Sequence, residues 1–169
     1  PATVVHFDSS DTDPATLDLL METYTGAVDQ VGIQHCGLLV AKRRGRKDTP
    51  GWNTTFLNSK LQGLLNPEGR PVRGTEFREG DRVIVRRNML LPDEDASVSL
   101  VNGDTATLIA TEGGTDDVPL VSVIHLDDGR TVRLPADLMD QVALAYAMAI
   151  HAAQGSEYRI VIVLVTNGH

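Results

Sequence analysis

The chain has 169 residues, a formal net charge of −8, 41% hydrophobic and 22% charged residues, which is the make-up of one ordinary globular domain or a domain with a small insertion. No apolar run approaches a membrane span and the first residues carry no secretory pattern, so no spanning helix is expected and the cytoplasm is the expected compartment. The single cysteine, Cys36, excludes an internal disulfide.

Thr3-Val-Val-His-Phe7 reads as a short strand. Asp13-Pro14 then opens a helix, with Asp13 at the N-cap and Pro14 at the first helical position. Leu17, Leu20, Met21, Tyr24 and Val28 recur at helical spacing on one face, and Gly32 is the stop. His35 to Ala41 reads as a buried strand. The three pieces make a strand–helix–strand unit, the crossover expected of a parallel sheet. Cys36, just inside that strand, reads as a buried thiol rather than a nucleophile.

Ala41 to Trp52 is rich in Pro, Gly and clustered charge, which marks an exposed loop. Trp52, the only tryptophan, either stacks on a base or packs the loop onto the next helix, and packing is the favoured reading. Asn53 can cap that helix, which carries Leu57, Leu61, Leu64 and Leu65 at helical spacing and ends at Asn66-Pro67.

From Phe77 the texture changes to short β-type runs separated by turn signals, as in small barrels. The runs are Asp81–Arg87, Thr105–Ala110, Leu120–Leu126 and Thr131–Leu134. Asp127-Asp128-Gly129-Arg130 has the composition of a hairpin turn, and Asn102-Gly103 is a second turn. Met89 to Leu100 reads as a long loop with an acidic exposed tip, Pro92-Asp-Glu-Asp95. After Pro135 the chain returns through Ala143-Leu144 to a strand.

That strand opens the most informative stretch, Ala145 to Tyr158, which is apolar and then abruptly polar: His151-Ala-Ala-Gln-Gly-Ser-Glu157. Arg159-Ile-Val-Ile-Val-Leu-Val165 follows as a second buried strand. In open α/β sheets ligands bind beyond the carboxyl ends of the strands, so a polar loop between two buried strands is a site candidate. A capped turn, with Ser156 and Glu157 satisfying backbone donors, is the plain structural alternative. His6, His35, His125, His151 and His169 show no metal-ligand spacing, and His151 has no Ser/His/Asp arrangement around it, so no metal site and no catalytic residue are expected.

Charge is distributed unevenly. Between Lys42 and Arg87 twelve cations face five anions, a local +7 that leaves −15 for the remainder. A segment this basic inside an acidic protein suggests either a contact with a polyanion or a solvated cationic face.

Residues Ala145, Tyr146, Ala147, His151, Gln154, Gly155, Ser156, Glu157 and Tyr158 resemble, without a gap, motif V of the RecD-like superfamily 1 DNA helicases, the exonuclease V alpha-subunit type. Ala149 stands where that family has threonine and Ala152 where it has lysine. A second RecD-like signature is similar to Arg43-Arg44-Gly45, Leu57-Asn58, Leu61-Gln62 and Asn66-Pro67, with Ala41-Lys42 replacing Pro-Met. Gly80-Asp81-Arg82-Val83, Arg87-Asn88 and Asn102-Gly103-Asp104 resemble the small SH3-like barrel such helicases insert in their second motor domain, with Ala106 at a usual glycine.

The resemblance implies an α/β fold: a partial RecA-like second motor domain at residues 1–76 and 143–169, with an SH3-like β-barrel inserted at 77–142. It implies that Gln154, Gly155, Ser156 and Glu157 face a nucleotide, and that Arg43, Arg44, Arg87, Asn88, Asn102 and His151 face single-stranded DNA. A glycine lets a backbone N–H approach a phosphate, and a carboxylate can accept from a ribose hydroxyl. Phosphoryl transfer in this class needs a Gly-x-x-x-x-Gly-Lys-[Ser/Thr] loop, which occurs nowhere in the chain. The expectation is therefore a fragment of an ATP-dependent helicase of 5′ to 3′ polarity, inactive alone. ATP and Mg²⁺ would belong to the full-length enzyme and would not be held tightly by this chain. Its partners would be single-stranded DNA, the first motor domain and other subunits of a recombination or repair complex, with no membrane. Two alternatives stay open: a single-stranded nucleic-acid-binding or adaptor module without a motor, and a β-barrel interaction domain with no nucleic-acid role.

Overall fold

The computed structural model describes residues 3–9, 14–41, 52–92 and 97–166, with the backbone alone for Thr3–Ser9 and Thr166. In chain order the elements are β1 (Thr3–Ser9), α1 (Pro14–Val31), β2 (Cys36–Val40), α2 (Thr54–Leu65), β3 (Arg82–Val85), β4 (Met89–Pro92), β5 (Ser97–Leu100), β6 (Thr105–Glu112), β7 (Val121–Leu126), β8 (Thr131–Pro135), β9 (Val142–Leu144), β10 (Ala147–Ala149) and β11 (Ile160–Thr166). They fall into two compact units: Pro1–Leu65 with Tyr146–His169, and Asn66–Ala145.

The first unit is built on a four-stranded sheet in the order β1-β11-β2-β10, parallel throughout. Leu38 and Val40 pair with Ile162 and Leu164 and are fully buried on one face, while Leu39, Val161 and Val163 on the other are half-buried. Leu20, Met21, Tyr24 and Ala27 form the buried stripe of α1. The helix stops where Gly32 takes φ +86° and donates its N–H to the Val28 carbonyl at 2.8 Å, a conformation that costs glycine little. A short 3-10 turn, Ile33–His35, follows, so the strand begins at Cys36 and not at His35. The N-cap assigned to Asp13 lies outside the described residues. Asn53 caps α2 as expected: its Oδ1 accepts the Phe56 N–H at 3.0 Å. Phe56, Leu57 and Leu61 are buried, but Leu64 is 54% exposed, so the apolar face of α2 is narrower than its leucine spacing suggests.

Two connections cross this sheet. From β1 to β2 the chain passes over β11 by way of α1, and from β10 to β11 it returns over β2 in the opposite direction. Crossovers between parallel strands are right-handed, so the two lie on opposite faces. The second consists of residues 150–159 alone, which is short for a parallel connection.

The second unit carries a five-stranded antiparallel sheet, β8-β7-β6-β3-β9, and a separate two-stranded ladder, β4-β5. The turns at 102–103 and 127–130 fall where their composition placed them. The closed barrel expected from the sequence is not found: among the described residues no ladder joins β8 to β9. A 3-10 turn, Ala136–Gln141, occupies the step between these edge strands and packs on β7, β8 and β9, so the sheet ends remain apart. In the stretch 89–100, expected as a loop, the described residues form two antiparallel strands, β4 and β5, paired from Met89 with Leu100 to Pro92 with Ser97. Their inner face is made by Met89, Leu91, Val98 and Leu100, with Leu91 and Leu100 buried. The acidic pair Asp93-Glu94 lies outside the described residues. No helix among the described residues is long and apolar enough to cross a membrane.

Candidate nucleotide and nucleic-acid site

The stretch Ala145–Tyr158 begins as an edge strand. Ala147, Met148 and Ala149 pair with Leu38, Leu39 and Val40. A three-residue edge strand needs further support, and Asn58 of α2 supplies it. The Asn58 Nδ2 donates to the Ala147 carbonyl at 2.9 Å, and the Ala147 N–H donates to Asn58 Oδ1 at 2.7 Å. One buried primary amide thereby satisfies both backbone groups that a next strand would have used. The sequence held Asn58 only as part of a matching motif. A polar residue between Leu57 and Leu61 on the buried side of a helix was the available sign that it had a partner.

Beyond Ala149 the chain makes one 3-10 turn, Ile150–Ala153. Ala149 pairs with Val40, so this turn and the segment after β2 leave the sheet at the same carboxyl edge. Ala153 is buried against the sheet, and the Ser156 N–H donates to its carbonyl at 3.1 Å. Gly155 takes φ +85° with open space where a Cβ would stand. At the far end of the crossover, the Arg159 N–H donates to the His35 carbonyl at 2.9 Å, beside the amino end of β2. His151 therefore sits at the carboxyl edge, whereas Gln154, Gly155, Ser156 and Glu157 lie along the return path.

His151, Gln154, Gly155 and Glu157 are exposed and Ser156 is half-buried. Among the described residues, none of the His151, Gln154, Ser156 and Glu157 side chains makes a hydrogen bond or ion pair. Their outward set of one imidazole, one amide, one hydroxyl and one carboxylate can meet both donors and acceptors of a ligand. The capped-turn alternative needs Ser156 and Glu157 to bond the local backbone, and their side chains do not do so here.

In the second unit the structure brings Arg87, Asn88 and Asn102 to one exposed corner. Arg87 and Asn88 follow β3, and Asn88 Oδ1 accepts the Asn102 N–H at 2.8 Å. The Gly103 N–H donates to the Val85 carbonyl at 2.9 Å, fixing the 101–104 turn beside the end of β3. Arg43 and Arg44 lie outside the described residues.

Several cations of the basic segment already have partners in the protein. Arg82 is almost fully buried and grips Asp127 with both arms, Nη1 to Oδ1 at 2.7 Å and Nη2 to Oδ2 at 2.6 Å, while the Thr105 hydroxyl donates to the same carboxylate. Arg70 pairs with Glu79 at 2.7 Å. Arg78 donates to the carbonyls of Asn66 and Pro67. The local +7 thus overstates the free positive surface. Lys60 sits over the Phe56 ring at 5.6 Å, so among the described residues the segment leaves Arg73, Arg86 and Arg87 for a polyanion. Asn66, from the second matching motif, is also structural: its Nδ2 bonds the Glu79 carbonyl and the buried Asp81.

Trp52 is 8% exposed, so it packs and does not offer a face to a base. Cys36 is buried, and burial pushes its thiol above the ordinary range. Among the described residues no group of three or more His, Cys, Asp or Glu side chains could hold a metal ion.

No protein-family model matches the chain. Over 115 residues it is 31% identical to the ATP-dependent RecD2 DNA helicase of Deinococcus radiodurans, a match covering 67% of this chain and 14% of that protein. The similarity therefore lies with a DNA helicase, and the chain spans about one seventh of the protein it matches.

Proposed function

We propose that the chain supplies part of the second, RecA-like motor domain of a RecD-like ATP-dependent DNA helicase, with an SH3-like module inserted at the second unit. Its role is to hold single-stranded DNA and to couple that grip to a nucleotide, a two-site linkage in the thermodynamic sense. His151 and the Arg87, Asn88 and Asn102 corner are assigned to DNA, together with Arg43 and Arg44. Gln154, Gly155, Ser156 and Glu157 are assigned to the nucleotide. Gly155 suits that role, since no side chain shields its backbone and its positive φ is open to glycine. ATP and Mg²⁺ would be held chiefly by a phosphate-binding loop, which this sequence does not contain. Bound there, they would supply the free energy of hydrolysis; the residues here bind, orient and transmit.

One observation carries the reading. The motif residues His151, Gln154, Gly155, Ser156 and Glu157 fall on one exposed crossover of a parallel sheet, and the side chains of His151, Gln154, Ser156 and Glu157 find no partner among the described residues. The test is fluorescence anisotropy of a labelled single-stranded oligonucleotide across a salt series. Binding whose logarithm falls linearly with the logarithm of salt, by roughly 0.7 per phosphate contacted, supports it. Absence of binding at low salt refutes the DNA assignment. The pure chain is expected to turn over no ATP, with or without DNA, and DNA-stimulated hydrolysis would contradict the assignment.

Ala149 and Ala152 favour a second reading, a nucleic-acid-binding or adaptor module without a motor, because both positions lack the polar group the helicase motif carries. A phosphate-binding loop encoded upstream of Pro1 decides for the motor.

A further inference from the structure

We infer that Tyr158 is the positioning residue of the 150–157 crossover, and that Gly37 is a glycine so that the Tyr158 ring can lie directly on β2. The inference rests on the reading of that crossover as the ligand-facing element.

The geometry begins with the shortness of the connection. Ala149 pairs with Val40 and Ile160 with Cys36, so residues 150–159 must travel back along β2 by four residues, roughly 13 Å at the rise of a strand. Only the single 3-10 turn Ile150–Ala153 intervenes, and its Ala153 is buried, so the connection stays close to the face of the sheet. A Cβ built on Gly37 would stand 3.0 Å from Tyr158 Cδ2, 3.2 Å from Cε2 and 3.2 Å from Cγ. The ring therefore lies so close to Gly37 that even a methyl group there would press it off β2 by a few tenths of an ångström. Its hydroxyl reaches Met148 Sδ at 3.8 Å, so one side chain spans β2 and β10. The neighbouring fixed points are the small buried side chain of Ala153 and the backbone bond from the Arg159 N–H to the His35 carbonyl. Between these two points Tyr158 is the side chain that fastens the exposed residues to the sheet.

Tyrosine is suited to this because a large rigid ring gains contact area with few torsions to immobilise. The hydroxyl contact with sulfur is weak, so the ring carries the effect. Phenylalanine should substitute for it, and a smaller side chain should not.

The experiment uses the full chain, with hydrogen exchange and single-stranded DNA anisotropy measured on the variants Tyr158→Phe, Tyr158→Leu, Gly37→Ala and Gly37→Ala with Tyr158→Leu. Tyr158→Leu is expected to speed exchange of the 151–158 amides by roughly tenfold or more, while the β1 and β11 amides change little, the mark of local rather than global opening. The same variant is expected to weaken DNA binding by about tenfold, and Tyr158→Phe to stay within about twofold on both readouts. Gly37→Ala alone should behave like Tyr158→Leu, and adding it to Tyr158→Leu should change little, because the ring it collides with is gone. Uniform acceleration of exchange across the sheet, or loss of function in Tyr158→Phe equal to that in Tyr158→Leu, would overturn the inference. If the wild-type chain binds no DNA, the reading of the crossover as a DNA contact falls, and the exchange pattern alone still decides whether Tyr158 positions it. If Gly37→Ala fails to fold, the Phe and Leu variants carry the test.

Discussion

The two units use polar side chains in opposite ways. In Asn66–Ala145 they turn toward one another: Arg82 grips Asp127, Glu79 accepts from Thr111 and Arg70, Asn66 meets Asp81, and Arg130 reaches Asp128 and the Ser99 carbonyl. In the parallel-sheet unit the buried amides sit on or just before α2, where Asn53 caps the helix and Asn58 guards a strand edge, while the polar residues of the 150–157 crossover face outward. In an open antiparallel sheet such inward pairs tie together strands and turns that the apolar core alone does not fix in register. In the parallel-sheet unit the exposed crossover keeps its polar side chains open to ligands. Polar residues with internal partners are thus poor site candidates here, whatever motif they match, and unpartnered ones are better.

The strongest test of that contrast is at Arg82 and Asp127. The Arg82 side chain is 5% exposed and the Asp127 side chain 31%, so the two single deletions are not equivalent. Asp127→Ala strands a buried guanidinium and is expected to cost about 4 kcal/mol in urea unfolding. Arg82→Met leaves a carboxylate that water and Thr105 can still reach, and about 2 kcal/mol is expected. A double variant, Arg82→Met with Asp127→Leu, should be more stable than Asp127→Ala. Equal costs for the two single variants would mean that the pair is a surface contact and the contrast between the units is false.

Asn58 probes the other unit. Asn58→Leu leaves the Ala147 N–H and carbonyl without the amide at a buried position, and about 2 kcal/mol is expected. Asn58→Asp keeps the acceptor for the Ala147 N–H and loses the donor to its carbonyl, so it should also destabilise. A negligible change in both would show that β10 holds its place through the ladder with β2 alone.

These pairs also show what the sequence could and could not convey. Elements set by local pattern were legible: α1 from its apolar stripe to Gly32, α2 from Asn53, the hairpin around Asp127–Arg130, and the strands β2 and β11 from unbroken apolar runs. The β4-β5 ladder was missed because Pro92 and the acidic tip suggest a loop, although Ser97-Val-Ser-Leu100 alternates as a half-buried strand does. Strands as short as β9 and β10 carry too few residues for any period. Bonds between residues far apart in sequence, Asn58 with Ala147 or Arg82 with Asp127, leave no local trace. Arg82 was therefore counted as free charge. The exposed crossover was legible as a site candidate because a polar run between two apolar ones is itself a local pattern.

A smaller effect is expected at Glu79. Its carboxyl is held below the ordinary 4.5 first by the hydrogen bond from the Thr111 hydroxyl and then by Arg70, with the Thr111 N–H adding to it. A carboxylate whose folded pKa is depressed contributes stability that is complete above the unfolded value and is lost as the pH falls through the folded one. The stability difference between wild type and Glu79→Gln should therefore be constant above pH 4.5 and shrink progressively below it. Thr111→Val should remove part of that acid-dependent difference. A difference that grows on acidification would mean the carboxyl is strained in the fold, and the inward pairing of this unit would lose one of its supports.

The smallest effect on stability, and the sharpest on the contrast, is expected at the crossover. His151→Ala, Gln154→Ala and Glu157→Ala each remove an exposed side chain, and each should shift unfolding by no more than about 0.5 kcal/mol. If these residues act on ligands, His151→Ala should still weaken single-stranded DNA binding by severalfold, while Glu157→Ala, which removes a negative charge, should leave it unchanged or tighten it slightly. Stability losses of 2 kcal/mol or more would mean that the side chains are internal supports after all, like those of the second unit. Unchanged stability with unchanged binding would leave the crossover an ordinary surface turn and move the DNA assignment to the Arg87, Asn88 and Asn102 corner, where Arg87→Ala should then lower both the affinity and its dependence on salt.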